Sequence, residues 1–101
     1  MSKKRPTTFR FFHGYKVTEN GQAYRWVKSQ KYWREIMPIF QKRDKSFRFK
    51  MTVNGKQKDL NRARLVADLF IPKPEGKVRV KHINGNTYDD RVSNLMWERL
   101  K

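Results

Sequence analysis

The stretch "VRVKHINGNTYDDRVSNLMW", residues 78–97, has alternating apolar residues at its start and a turn-rich segment in its middle. Val78, Val80 and His82 lie at every second position, so they share one face of an extended strand. The residues that follow are rich in Gly, Asn and Asp, which favour turns. The segment "NLMWERL" is then placed to return as the antiparallel partner. The stretch therefore predicts a strand, a loop and a second strand.

A short core helix is predicted immediately upstream, in "NRARLVADLFIP", residues 61–72. The apolar residues between Leu65 and Phe70 recur at helical spacing, which gives the helix one apolar face. Asn61 is suited to cap the first turn, and Pro72 ends the element because proline cannot continue a helix.

Strands are predicted in the first half of the chain. Residues 15–27, "YKVTENGQAYRWV", carry β-branched and aromatic residues on both sides of Asn20 and Gly21, a pair typical of a tight hairpin turn. In residues 47–53, "FRFKMTV", apolar and polar residues alternate, and a second Asn-Gly pair follows. Residues 28–46 contain a proline within an apolar cluster and predict either a short helical turn or an irregular strand. The fold class predicted is α+β, with two or three β-hairpins around one short helix. The three tryptophans, Trp26, Trp33 and Trp97, are predicted to lie in the core.

The composition favours a polyanionic partner. The 101 residues include 25 Lys and Arg against 9 Asp and Glu, a formal net charge of +16. Such an excess favours nucleic acid, because neutralising phosphates releases counterions whatever the base sequence. An acidic protein surface is the alternative partner. No apolar run is long enough to span a bilayer and no cysteine is present, so we expect a cytoplasmic protein without a membrane partner.

Basic side chains concentrate in two parts of the sequence. Residues 1–8, "MSKKRPTT", predict a flexible basic arm suited to reach a nucleic-acid groove. Residues 41–64 include nine basic residues and only two acidic residues. The candidate nucleic-acid-binding residues, with two near the motif included, are Lys3, Lys4, Arg5, Lys42, Arg43, Lys45, Arg48, Lys50, Lys56, Lys58, Arg62, Arg64, Lys81 and Arg91.

The spacing of His82, Gly85, Arg91, Asn94, Leu95 and Trp97 resembles the HNH motif of phage-type homing endonucleases. The segment "ARLVADLFIP" is similar to the "HRLVAxAFIP" segment that precedes this motif, and "YKVTENGQAY" is similar to the strand-rich module further upstream. The resemblance implies a single domain over residues 9–101. Residues 15–60 would form the strand-rich module, and residues 61–101 the helix with the ββ part of an HNH finger.

In the family, the motif builds a divalent-metal nuclease centre. The resemblance implies that His82 is the general base and that Asn94 orients it. Lys81 stands where a metal ligand such as Asp can occur, and an ammonium has no lone pair to offer. Asp89 and Asp90 are candidate oxygen ligands for Mg²⁺, or alternatively turn residues that satisfy backbone donors.

Two further departures point to an incomplete centre. Ala63 replaces the His of "HRLVA", and the helix that carries the last metal ligand in the family would begin where the sequence reaches Lys101. The first hypothesis is therefore a DNA-binding protein derived from an HNH homing endonuclease, without a cofactor. The alternatives are an active Mg²⁺-dependent endonuclease, and a phage factor that binds RNA or an acidic host protein.

Overall fold

The computed structural model describes residues 7–100. Lys3, Lys4 and Arg5, which were predicted to form a basic arm, lie outside the described residues. At the described end of the predicted arm, Thr8 is bonded to Glu19: its Oγ1 donates to Glu19 Oε2 at 2.7 Å, and its carbonyl accepts from Glu19 N at 3.0 Å. The described residues form three antiparallel sheets and one α-helix.

The first sheet has four strands in sequential order. The strands are β1 (Phe9–Phe12), β2 (Tyr15–Thr18), β3 (Ala23–Val27) and β4 (Tyr32–Ile36). The predicted hairpin with its Asn-Gly turn is confirmed as β2 and β3. β1 and β4 extend it on either side; β1 was not predicted, and β4 lies in the segment for which an irregular strand was one of the two predictions. The inner face of the sheet contributes Val17 and Ala23 to the core, and both are fully buried.

The second sheet consists of β5 (Ile39–Gln41), β6 (Ser46–Val53) and β7 (Lys56–Asn61). The predicted alternation along β6 is confirmed, because Phe49 and Met51 are buried whereas Lys50 is exposed. The turn between β6 and β7 needs positive φ angles at two successive residues, which an Asn-Gly pair tolerates. Residues 28–46, for which a helical turn or an irregular strand was predicted, contain β4 and β5, and Pro38 lies between these two strands.

The helix α1 (Arg62–Phe70) is capped as predicted, since Asn61 Oδ1 accepts a hydrogen bond from Arg64 N at 3.0 Å. Its buried face includes Leu65 and Val66, which pack in the same core cluster as Phe49 and Met51. Ala63 is also buried.

The third sheet is the predicted hairpin of β8 (Val78–His82) and β9 (Leu95–Arg99). The register places His82 opposite Leu95, and a short 3₁₀ turn precedes β9. Trp97 is buried and donates from Nε1 to the carbonyl of Ile71 at 3.1 Å, which ties this sheet to the end of the helix. The predicted α+β class is confirmed.

The three tryptophans differ in burial. Trp97 lies in the core as predicted, and Trp33 is half-buried. The prediction for Trp26 is wrong, because its side chain is 45% exposed on the outer face of the first sheet. The inner face of this sheet meets the core, so an aromatic residue on the other face remains in solvent. Within residues 7–100, the helix is too short and too polar to cross a membrane.

The turn between β2 and β3 packs on the loop that follows β8. Gly21 has φ +85°, and a Cβ at this position would lie 3.4 Å from the carbonyl oxygen of Asp90 and 3.6 Å from the side chain of Arg62. Val92 N donates to the Glu19 carbonyl at 2.8 Å in the same contact. The strand-rich module therefore buttresses the loop of the β8–β9 hairpin.

We expect a leucine at position 21 to destabilise the fold more than a leucine at position 14. Gly14 has the same φ of +85° but open space around it, so Gly14→Leu measures the backbone strain alone. Gly21→Leu adds overpacking against Asp90 and Arg62. We expect this overpacking to lower the free energy of unfolding by about 1–3 kcal/mol more than Gly14→Leu does. Urea denaturation of the two variants measures the difference. Equal losses of unfolding free energy in the two variants would show that packing of the β2–β3 turn on the loop does not contribute to stability.

Candidate nucleic-acid interface

His82 lies at the end of β8 and is part of a buried charged network. Its Nε2 is 2.6 Å from Asp90 Oδ1, and the other oxygen of Asp90 accepts from Arg62 Nε at 2.8 Å. The side chain of Asp90 is 2% exposed, and those of Arg62 and His82 are 15% and 16% exposed. The network joins the third sheet, its loop and the first residue of α1. With Nε2 bonded to a carboxylate, Nδ1 is the ring nitrogen left to accept a proton.

The guanidinium of Arg62 is fixed by two further groups. One of its terminal nitrogens donates to the carbonyl of Tyr88 at 3.2 Å, and its central carbon lies 4.2 Å from the ring centroid of Phe47. Phe40 stacks on Tyr88 with centroids 5.3 Å apart. The loop after β8 is therefore attached to the second sheet through aromatic and charged contacts together.

Asp89 has a different environment from Asp90. Its two oxygens accept from Nε and a terminal nitrogen of Arg91 at 2.8 and 2.7 Å. The hydrogen bonds from Arg91 are the main cause that lowers the pKa of Asp89 to about 2, and they raise the pKa of Arg91. Arg91 lies at the loop surface with its side chain 59% exposed, whereas the side chains of Asp89 and Asp90 are 14% and 2% exposed.

Asn94 holds the two ends of the loop together. Its Oδ1 accepts from the backbone N of Asn84 at 3.1 Å, and its Nδ2 donates to the carbonyl of Asp89 at 2.9 Å. Both contacts are to backbone, and the side chain is buried. The resemblance implied that Asn94 orients His82; in this structure Asp90 makes the contact with the imidazole, and Asn94 shapes the loop that carries Asp90.

A cleft of about 470 Å³ opens beside His82. Three basic residues lie along it, Lys45, Arg64 and Arg79, and Ala63 forms part of its wall. Because alanine replaces a larger polar side chain at that position of the resembling motif, the cleft has room at its wall. The lining residues are Asp44, Lys45, Ser46, Asn61, Ala63, Arg64, Arg79, Val80, His82 and Thr87.

The cleft arginines pair with partly exposed carboxylates, and the central carbon of the Arg64 guanidinium also lies 4.9 Å from the ring centroid of Trp97. Arg64 Nε lies 3.2 Å from Asp68 Oδ2, and Arg79 lies 3.2 Å from Glu98 Oε1. Ion pairs of this kind are worth little in water. Both guanidiniums can therefore exchange their carboxylate partner for a phosphate.

The predicted basic residues do not form one surface. In β6, Arg48 and Lys50 point to the outer face, whereas the register places Lys56 and Lys58 of β7 opposite Val53 and Met51, on the other face of the strand pair. Lys42, Arg43 and Lys45 are exposed in the turn before β6. Arg62 was predicted to contact nucleic acid, but its guanidinium is committed to Asp90. Lys81 is exposed on the face of β8 opposite to His82.

The resemblance implies a divalent metal such as Mg²⁺, and the described residues do not fit one. Within residues 7–100, no three His, Cys, Asp or Glu side chains come together as a metal-binding group. Both oxygens of Asp90 already accept from His82 and Arg62, and those of Asp89 accept from Arg91. Two guanidiniums thus stand beside the carboxylates where a metal would need free oxygens.

A strand-rich module, a capped helix and a β-hairpin that carries His82 and Asn94 define the class: the chain has the fold of an HNH homing endonuclease. The particular structure it is similar to is that of the HNH homing endonuclease I-HmuI, described as binding and cleaving DNA. The two are 30% identical, with a TM-score of 0.70. The match covers 84% of this chain and 46% of that one, so the chain spans about half the length of I-HmuI.

No protein-family model matches the chain, and no curated protein matches it. The resemblance to HNH homing endonucleases, which the motif predicted, is confirmed at the level of the fold. The prediction that the metal-binding helix is missing depends on the end of the chain and stays a prediction.

Proposed function

We propose that the chain binds duplex DNA through the cleft beside His82, as a protein derived from an HNH homing endonuclease whose metal centre is incomplete. The observation that carries this proposal is the cleft itself, where Lys45, Arg64 and Arg79 surround His82. The solved structure of I-HmuI, with which the fold is shared, is described as binding DNA. Phosphate oxygens are the groups that arginine and lysine recognise best in nucleic acid.

Charge pairing supports an incomplete centre. Each oxygen of Asp90 already accepts a hydrogen bond, from His82 or from Arg62, and the carboxylate is buried, so a metal ion would compete with both partners for it. The positive charge that a metal would bring is already present as Arg62, which lies 2.8 Å from Asp90. The arrangement favours phosphate binding over metal binding.

We expect Arg64→Gln and Arg79→Gln each to weaken duplex binding about three- to tenfold, because each removes one phosphate contact. Each variant is also expected to reduce the slope of log affinity against log salt by about one. Fluorescence anisotropy with a labelled duplex of about 20 base pairs measures both quantities, the length being chosen to exceed one helical turn of about 10 base pairs.

Lys77→Gln is the matched control, since Lys77 is exposed and does not line the cleft. The affinity of Lys77→Gln for the duplex is expected to differ from that of the wild-type chain by less than about twofold, because salt screens a charge that lies far from the bound phosphates. If Lys77→Gln weakens binding as much as the two cleft variants, the interaction depends on net charge and the cleft is not the interface.

One observation favours the second candidate function, a metal-dependent endonuclease. His82 is oriented by a buried carboxylate, the arrangement that holds a general base in position in many hydrolases. This function requires oxygen ligands other than Asp89 and Asp90 in their present pairing. It predicts DNA nicking that needs a divalent metal and is lost in His82→Ala.

A further inference from the structure

The outer face of the first sheet carries an exposed aromatic surface. Residues directly opposite in antiparallel strands share a face, and the register places Phe11, Lys16, Tyr24 and Glu35 in one row across the four strands. Trp26 and Trp33 form the next row across β3 and β4. We call this surface the aromatic platform, and its rings are those of Phe9, Phe11, Tyr24, Trp26 and Trp33.

The rings of the platform form a continuous surface in solvent. Phe9, Phe11 and Trp26 are 44%, 62% and 45% exposed. Phe11 and Trp33 have ring centroids 6.0 Å apart, and Trp26 and Trp33 have centroids 5.4 Å apart. An open, shallow cavity of about 530 Å³ lies over them. The platform is distinct from the cleft beside His82, with which it shares no lining residue.

The core of the protein does not account for these aromatic residues. The buried apolar residues of the first sheet, Val17 and Ala23, lie on its other face. Leaving several large rings in solvent is unfavourable unless a ligand covers them, so an exposed cluster of this kind marks a binding surface.

Lys16 gives the platform a positive centre. Its Nζ lies 5.4 Å from the ring centroid of Phe9, and 5.1 Å from those of Tyr24 and Trp33. The turn next to the two tryptophans adds Lys28 and Lys31, both exposed. A ligand that complements this surface has a flat aromatic part and negative charges at short intervals.

Unpaired nucleotides have this chemistry. In a duplex the bases stack on one another and only their edges are accessible, whereas a single strand offers base faces for aromatic side chains and a phosphate for each base. Exposed aromatic residues on a four-stranded sheet are one arrangement by which proteins stack unpaired bases. A purely apolar protein partner would leave the charge of Lys16 without a counterpart.

We infer that the aromatic platform binds single-stranded nucleic acid, with unpaired bases stacked on Phe11, Trp26 and Trp33 and a phosphate near Lys16. This site is separate from the duplex-binding cleft and does not rest on the proposed function. The same surface accommodates DNA or RNA, because both offer base faces and phosphates.

The test compares two single strands that differ only in their bases. One is a labelled strand of about 12 nucleotides of mixed sequence, within the site sizes of known single-strand binders. The other has the same number of phosphates with abasic sugars along its centre. Both are titrated with the full chain at one salt concentration, and the base-containing strand is prepared as DNA and as RNA to show which is preferred. Since the two strands carry equal charge, the comparison isolates stacking from phosphate binding.

The wild-type chain is expected to bind the base-containing strand about tenfold more tightly than the abasic strand, or more tightly still. Phe11→Ala and Trp26→Ala are expected to weaken binding of the base-containing strand about tenfold each and to leave the abasic strand unaffected. Trp26→Phe keeps a ring and is expected to retain most of the affinity. Met37→Ala is the matched control, because Met37 is 74% exposed but lies outside the platform.

Equal affinity for the two strands in the wild-type chain would overturn the inference, and so would platform variants that bind like Met37→Ala. Concentration-dependent association of the chain that is lost in Phe11→Ala would also overturn it, because a second copy would then cover the platform. The outcome is independent of the duplex experiment, which uses other variants and another probe.

Discussion

Replacing Asp90 with alanine is expected to lower the free energy of unfolding by about 3–5 kcal/mol. Asp90 is 3% exposed and its two oxygens serve His82 and Arg62 at 2.6 and 2.8 Å. Removing the carboxylate leaves the guanidinium of Arg62 uncompensated in a place where water reaches only a small part of it. The loop after β8 also loses one of its two links to Arg62 at the start of α1, since the hydrogen bond to the Tyr88 carbonyl is the other. Urea denaturation with a linear extrapolation gives the free energy of unfolding.

The matched control is Asp68→Ala, which removes a carboxylate from an exposed pair. Asp68 lies 3.2 Å from Arg64 across one turn of α1, and both side chains are more than two-fifths exposed. The expected loss is about 0.5 kcal/mol or less, as for other pairs of this spacing on helix surfaces. If Asp90→Ala is no more destabilising than Asp68→Ala, the buried network is not a structural element of the site.

Raising the salt concentration from about 50 to about 200 mM is expected to weaken duplex binding about 10³-fold, if about six phosphates are neutralised. The reason is the counterion atmosphere of DNA, whose release contributes less to binding as salt rises. Six contacts are a modest fraction of the net charge of +16, and the cleft with the outer face of β6 offers basic side chains for them. The corresponding slope of log affinity against log salt is about −5.

Anisotropy titrations at four or more salt concentrations measure this slope. The titrations are run in sodium chloride and again in potassium chloride. The two slopes are expected to agree, because counterion release from DNA depends on cation charge more than on cation identity. A slope shallower than about −2 would mean that about two phosphates at most are contacted. The proposed cleft and the outer face of β6 would then not act together.

The parts of the fold that depend on local patterns were predictable. The Asn-Gly turns, the alternation along β6, the cap at Asn61 and the β8–β9 hairpin each follow from residues close together in the sequence. β4 and β5 were ambiguous, because a proline between two apolar segments is compatible with a broken helix as well as with two strands. Only pairing with β3 and β6 decides between them.

The candidate site was predictable in part. His82 and Asn94 were found through the spacing of the motif, but the partner of His82 was not. Arg62 and Asp90 are 28 positions apart, and an Asp in a loop next to another Asp carries no signal that it will be buried. The docking of Gly21 on the loop is a tertiary contact of the same kind. The exposure of Trp26 also depends on which face of the sheet the core covers.

The central claim, a DNA-binding HNH scaffold without a working metal centre, is tested most directly on one sample of supercoiled plasmid. The wild-type chain and His82→Ala are incubated with it in Mg²⁺, in Mn²⁺ and in chelator, and each mixture is assayed for nicking and for a mobility shift. We predict that the wild-type chain shifts the plasmid and leaves it intact under all three conditions. Nicking by the wild-type chain that requires a metal and disappears in His82→Ala would contradict the claim.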